Sequence, residues 1–143
     1  MLKPPDSAPA GLEAAGEPAS PFKGKTGLVR IWNAFFNSMR GLRDAWRHES
    51  AFRQEVLLAA ILIPAACLVP VSPLERAMLI GSVLLVIIVE LLNTSVEVAI
   101  DRISFDHHSL SGRAKDLGSA AVFMALALCA IVWALILVPV AFH

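Results

Sequence analysis

From Leu117 to Phe142 the chain carries no charged residue. A helix of about 20 apolar residues crosses the hydrocarbon core of a bilayer, so this run is long enough to span. Val56 to Pro73 is a second uncharged run and Ala77 to Val89 a third. The chain has 143 residues, enough for one domain, and 57% of them are hydrophobic against 17% charged. Those proportions describe an integral membrane protein rather than a soluble domain. Lipid offers the backbone no hydrogen-bond partners, so such spans are helices. The expected fold is an all-α membrane protein with three transmembrane helices and an N-terminal amphipathic surface helix. The spans cover about 50–70, 74–103 and 113–142. Ser50 opens the first, and Pro64 is expected to kink it. Pro70-Val71-Ser72-Pro73 is a tight turn, and Ser104 to Gly112 a polar loop. The net charge is zero, which gives no reason to expect a nucleic-acid partner.

Residues 1–26 are rich in Pro, Ala, Gly and Glu and show no apolar periodicity. They are expected to form a disordered tail, leaving 27–143 as the membrane domain. The start lacks the apolar core of a signal peptide, so no cleaved signal is expected. In 28–48, Leu28, Trp32, Phe35, Met39, Leu42 and Trp46 recur on one face of a helix, with Arg30, Arg40, Arg43 and Arg47 off it. A basic amphipathic helix edged with aromatics suits the membrane surface. Cys67 and Cys129 lie far apart in apolar runs and are expected to be inert buried thiols.

The second span ends in Glu90-Leu91-Leu92-Asn93-Thr94-Ser95-Val96-Glu97-Val98-Ala99-Ile100-Asp101-Arg102. At 3.6 residues per turn, Glu90, Asn93, Thr94, Glu97 and Asp101 share one narrow face. A charge inside a bilayer costs about 2.5–3.5 kcal/mol on insertion scales, so such a stripe marks a functional site. Basic residues give its topology. Lys23, Lys25, Arg30, Arg40, Arg43, Arg47 and Arg53 surround the start of the first span, and Arg102, Arg113 and Lys115 flank the second loop. The first loop holds only Arg76, balanced by Glu75. The positive-inside rule then puts the N-terminus and the second loop in the cytoplasm and the C-terminus outside. Glu90 falls just inside the cytoplasmic boundary, with Glu97 and Asp101 nearer to water. Glu49, Glu55, Lys115, Asp116 and Ser119 reach the same level from the starts of the other spans.

Carboxylates beside lysine and arginine at a lipid–water boundary suit Mg²⁺-assisted phosphoryl transfer. Mg²⁺ takes one or two carboxylates together with phosphate oxygens, and Lys and Arg neutralise the remaining charge. Glu90, deepest in the apolar zone, is the candidate proton acceptor. Glu97, about 10.5 Å further along the axis, suits the metal. The sequence has no GxxxxGK[ST], no GxGxxG after a strand, and no HRD or DFG. A different class also fits an intramembrane carboxylate stripe: a small oligomeric channel or transporter subunit. Against it, the outer halves of the first and third spans are apolar, and Arg113 with Lys115 favours an anionic phosphate over a cation. The stripe needs cover from lipid, and three helices are few for that, so partner subunits are expected.

Several stretches resemble the small prokaryotic integral-membrane diacylglycerol kinase family. They are Gly41-Leu42-Arg43, Ala45-Trp46, Glu49, Ala51-Phe52-Arg53-Gln54-Glu55, Val89-Glu90-Leu91-Leu92-Asn93, Glu97, Asp101-Arg102-Ile103 and Leu110-Ser111-Gly112-Arg113-Ala114-Lys115-Asp116. The resemblance runs from about Arg30 to the C-terminal region and leaves out 1–26. It implies an ATP-dependent kinase that converts diacylglycerol to phosphatidic acid in the bacterial inner membrane, with Mg²⁺. It also implies a homotrimer with sites shared between subunits. Glu90 then matches the proton acceptor, and Glu49 and Glu97 the metal-binding carboxylates. Arg30, Asn37, Glu49, Glu97, Asp106, His107, His108, Lys115 and Asp116 match nucleotide-site positions. Arg43, Asp44, Ala45, Trp46, Ala51, Phe52, Arg53, Gln54, Glu55, Glu90 and Ser119 match positions lining the lipid substrate, with Asn93 and Asp101 in support. Asn37 departs from the family, whose best-known members carry Tyr there; Phe105 and His107 differ as well. Another branch of the family phosphorylates undecaprenol, so undecaprenol or another lipid alcohol is the alternative acceptor.

Overall fold

The computed structural model describes residues 27–103 and 109–142. The expected tail at 1–26 and most of the polar loop lie outside them. The described residues are almost wholly helical, in the order α1 (Leu28–His48), α2 (Ser50–Leu68), α3 (Pro73–Ile103) and α4 (Ser109–Ala141). The last three are long and apolar enough to cross a membrane. The fold is the expected all-α one, with three candidate spans after an amphipathic helix.

The chain divides between Asn37 and Ser38 into two compact units. In the first, Gly27 takes a left-handed conformation at φ 72°, and its carbonyl accepts the N–H groups of Arg30 and Ile31, which starts α1. Trp32, Phe35 and Phe36 form an aromatic cluster with ring centroids 5.2–6.3 Å apart. All three rings are exposed, as are Leu28 and Ile31. An aromatic cluster without a protein cover suits a membrane surface.

In the second unit α3 is central and packs against both α2 and α4. The buried face of α2 is Phe52, Ala59 and Ala66, spaced by seven, so each recurs after two turns on one side. The buried seam of α3 is Leu79, Ser82, Val83, Val86 and Glu90. These positions follow i, i+3, i+4, i+7, i+11, a single helical face. Glu90 is therefore the last member of the packing seam, and only 4% exposed. On α4 Ala125 alone is buried among the described residues. Small residues at these contacts let helices approach closely, the usual device where lipid replaces water.

The turn between α2 and α3 is closed by its own polar groups. Arg76 Nε donates to Ala66 O at 3.2 Å and its Nη2 to Val69 O at 3.1 Å, satisfying carbonyls at the end of α2. Ser72 N–H donates to Glu75 Oε2 at 2.8 Å, and Glu75 N–H donates to Ser72 Oγ at 3.3 Å. This reciprocal capping box opens α3. Arg76 and Glu75 thus each cap a helix end rather than simply balancing one another.

Two expectations need correcting. Ser109 to Gly112 belong to α4 instead of the loop, so the third long helix starts at Ser109 and not near Arg113. The first N–H groups of any helix lack intrahelical partners, so serine and glycine cost little there. Cys67 is exposed and Cys129 half-buried, both as free thiols. On a lipid-facing helix a thiol gains nothing from burial within protein. Pro64 lies inside α2, as Pro139 lies inside α4.

Candidate functional site

The site begins with the seam of α3. Glu90 continues the Leu79–Val86 packing face and is buried with it. Glu49 and Glu97 lie close enough to Glu90 for their charges to act on it, and so does Glu55 of α2. Glu55 Oε2 is buried and has no hydrogen-bond partner among the described residues. Glu49, Glu55 and Glu97, drawn from two helices and the cap of one of them, thus each lie within electrostatic range of Glu90 and make up an acidic zone. Buried polar atoms are nearly always paired, so an orphaned carboxylate oxygen here marks a place made for something else.

Glu49 is the N-cap residue of α2, with φ −103° and ψ 116°. Its side chain makes no capping hydrogen bond, so capping is not the work of its carboxylate. The backbone around it is fixed instead by Glu49 N–H to Ala45 O at 2.8 Å. Arg53 Nη1 donates to Trp46 O and Arg47 O at 3.1 and 3.3 Å, capping the end of α1. Arg53 is thereby an orienting group for the α1–α2 junction.

One turn beyond Glu90, Asn93 Nδ2 donates to Glu97 Oε1 at 3.0 Å. This i, i+4 bond orients the Glu97 carboxylate along the stripe. Asn93 Oδ1 is buried and has no hydrogen-bond partner among the described residues. At the shallow end, Lys115 Nζ on α4 and Asp101 Oδ1 pair at 2.6 Å, with side chains 40% and 59% exposed. Lys115 is also within electrostatic range of Glu97. Lys115 and Asp101 thus place a fixed cation beside the acidic group.

A groove joins Gly41, Asp44, Ala45, His48 and Glu49 to Leu91, Thr94, Ser95 and Val98 of α3. It places Asp44 and Ala45, expected at the lipid substrate, next to Glu49. An apolar crevice runs from Glu55 past Leu58, Ala59, Leu62, Val83, Val86 and Ile87 to Leu126 and Cys129. Phe52 is buried against the bundle, and Arg43 lies with Arg40 and Arg47 on α1. Trp46, Ala51, Gln54, Asp116 and Ser119 are exposed and not drawn into the acidic group. Arg30 and Asn37 belong to the first unit, and Asp106, His107 and His108 lie outside the described residues.

Two features escaped sequence reading. The partnership of Asp101 with Lys115 crosses the loop, where no helical periodicity carries information. The contact of Gly118 with Asn93 links α4 to α3, and a single glycine in a helix gives no signal of its neighbour.

This is a membrane-embedded helical protein with an acidic, cation-flanked site at one end of its bundle. The model of the prokaryotic diacylglycerol kinase family matches residues 36–137. A diacylglycerol kinase of Pseudomonas aeruginosa is 54% identical over 118 residues, covering 82% of this chain and 96% of that protein. The diacylglycerol kinase of Escherichia coli K12 is 47% identical over 112 residues, covering 78% and 92%. That of Haemophilus influenzae is 49% identical over 108 residues, covering 76% and 92%. The chain belongs to the prokaryotic diacylglycerol kinase family.

Proposed function

We propose that the protein transfers the γ-phosphoryl group of ATP to the free hydroxyl of diacylglycerol, giving phosphatidic acid at the cytoplasmic face of the bacterial membrane. Family membership carries the reaction class, and the buried Glu90 near Glu49 and Glu97, with Lys115 near Glu97, supports the chemistry. Glu90 takes the proton of the lipid hydroxyl. The hydroxyl oxygen forms a bond to the γ-phosphorus, and the bond from that phosphorus to the β–γ bridging oxygen breaks. ADP leaves with the electron pair. Glu90 suits the proton because it sits deepest, where the acyl chains bring the hydroxyl. Lys115, held by Asp101, meets negative charge on the phosphates.

Glu49 and Glu97 are the residues that would hold Mg²⁺. Among the described residues no group of three His, Cys, Asp or Glu side chains is arranged as a metal site. Two carboxylates fit a cation that arrives on the nucleotide, since Mg²⁺ completes its shell with phosphate oxygens and water. Its contribution there is to neutralise charge on the transferring phosphoryl group. The nucleotide contacts assigned by resemblance to Arg30, Asn37, Asp106, His107, His108 and Asp116 complete the reading. So do the lipid-lining roles of Arg43, Trp46, Ala51, Gln54 and Ser119.

The basic residues around α1 and the second loop support a cytoplasmic N-terminus and a periplasmic C-terminus. A homotrimer accounts for α4, which offers little buried surface within one chain. Glu90 is already covered within one chain, so subunit contacts are needed at the shallow end of the stripe rather than the deep end. The test is an assay in lipid bilayers with Mg-ATP, comparing diacylglycerol with undecaprenol. Phosphatidic acid formation is the expected result. Transfer to undecaprenol alone would move the chain to the other acceptor, and transfer to neither would overturn the kinase reading.

A further inference from the structure

A methyl group built on the Gly118 α-carbon of α4 would overlap Asn93 Oδ1 and stand 3.3 Å from Asn93 Cγ. Gly118 therefore lies directly against the Asn93 carboxamide. Gly41, Gly81 and Gly112, also helical, have open space at the same position. Glycine weakens a helix interior relative to alanine, so a glycine kept at a close contact has a use there.

The orientation of the carboxamide is fixed by its other end. Asn93 Nδ2 donates to Glu97 Oε1 at 3.0 Å. A carboxylate only accepts, so the nitrogen must face Glu97 and the oxygen must face α4. That oxygen is buried without a hydrogen-bond partner among the described residues, and its close neighbour is Gly118.

We propose that Gly118 is a positioning residue: its missing side chain seats the Asn93 carboxamide against α4, so that Asn93 holds Glu97 in the orientation that binds the metal–nucleotide. The proposal rests on the reading of Glu97 as a metal ligand. A side chain at 118 must displace something. The backbones of α3 and α4 are packed together along the bundle, whereas the Asn93 amide turns about two side-chain bonds. Turning it away from α4 swings Nδ2 off Glu97, and the carboxylate loses its one orienting hydrogen bond on the stripe. Loss of such an outer-shell partner typically weakens metal binding about 10- to 100-fold.

The experiment compares wild type, Gly118→Ala, Asn93→Ala, the double variant and Glu97→Gln, all as full-length protein in lipid nanodiscs. Two quantities are read: kcat and KM for Mg-ATP, and the side-chain amide NMR resonances of Asn93. Gly118→Ala should shift the Asn93 amide resonances and raise KM about 10-fold, with a smaller change in kcat. In the Asn93→Ala background the same substitution should change KM less than about 2-fold, because no carboxamide remains to displace. Unchanged resonances with unchanged KM in Gly118→Ala would overturn the proposal. An equal loss in both backgrounds would also overturn it, by showing that Gly118 only packs helices. If Gly118→Ala does not fold, a folded double variant with the KM of Asn93→Ala upholds the contact, and an unfolded one refutes it. Glu97→Gln isolates the underlying reading. If its KM is normal, Glu97 is not the metal ligand and the link to nucleotide binding falls, while the Asn93 resonances still report separately on the contact.

Discussion

The two ends of the helical bundle treat buried polar groups in opposite ways. At the α2–α3 end the buried and half-buried polar groups are paired, and the exposed Ser72 and Glu75 are paired as well. Arg76 satisfies Ala66 O and Val69 O, Ser72 and Glu75 cap one another, and Leu79 O accepts both Ser82 Oγ at 2.9 Å and Trp133 Nε1 at 3.2 Å. At the stripe end, Glu55 Oε2 and Asn93 Oδ1 are buried without partners among the described residues, and the carboxyl of Glu90 is buried in the packing seam. Leaving a polar group unpaired in an apolar setting costs folding free energy wherever it occurs. One end avoids that cost and serves the fold. The other bears it, at the site proposed to take the substrates.

Substitutions at the two ends should therefore fail differently. The largest effect is expected for Glu90→Gln, which keeps the shape and removes the proposed proton acceptor. Phosphorylation should fall about 10³-fold with little change in folding, read by phosphatidic acid formation. Retained turnover would break the contrast at its deep end. Arg76→Met comes next, on stability alone. Exposing two helix-end carbonyls should cost about 1–3 kcal/mol in reversible unfolding from mixed micelles, while kcat and KM of the folded enzyme stay near wild type. Trp133→Phe removes one interhelical hydrogen bond and should cost about 1 kcal/mol in the same measurement, again without a kinetic signature. The smallest effect is expected for Asp101→Asn. Its pair with Lys115 is exposed, so stability should not change, and KM for Mg-ATP should rise only about threefold. That rise should shrink as salt is added, because exposed charges are screened.

The spans and the stripe were legible because both are periodic. Uncharged runs gave α2 to α4, and a spacing of three and four placed Glu90, Asn93, Glu97 and Asp101 on one face. The Asn93–Glu97 bond is a consequence of that spacing. The burial of Glu90 was legible only as depth in the membrane. The structure adds that it closes the Leu79–Val86 seam, which depends on where α2 and α4 pack. Lys115 with Asp101, and Gly118 with Asn93, join α4 to α3 across a connection whose geometry no local pattern encodes. The start of α4 at Ser109 is hidden because Ser-Leu-Ser-Gly reads as a loop, although a first helical turn accommodates those residues. The exposure of Cys67 is not legible, because an apolar run does not tell a lipid-facing position from one buried within protein.

The division of labour proposed along the stripe, with Glu90 handling the proton and Glu97 the metal–nucleotide, is tested most directly by equilibrium binding of Mg-ATP to Glu90→Gln and Glu97→Gln in the same lipid nanodiscs. Glu90→Gln should bind with wild-type affinity despite its lost turnover, and Glu97→Gln should bind about 10- to 100-fold more weakly. Equal affinities in the two variants, or a loss confined to Glu90→Gln, would contradict the assignment.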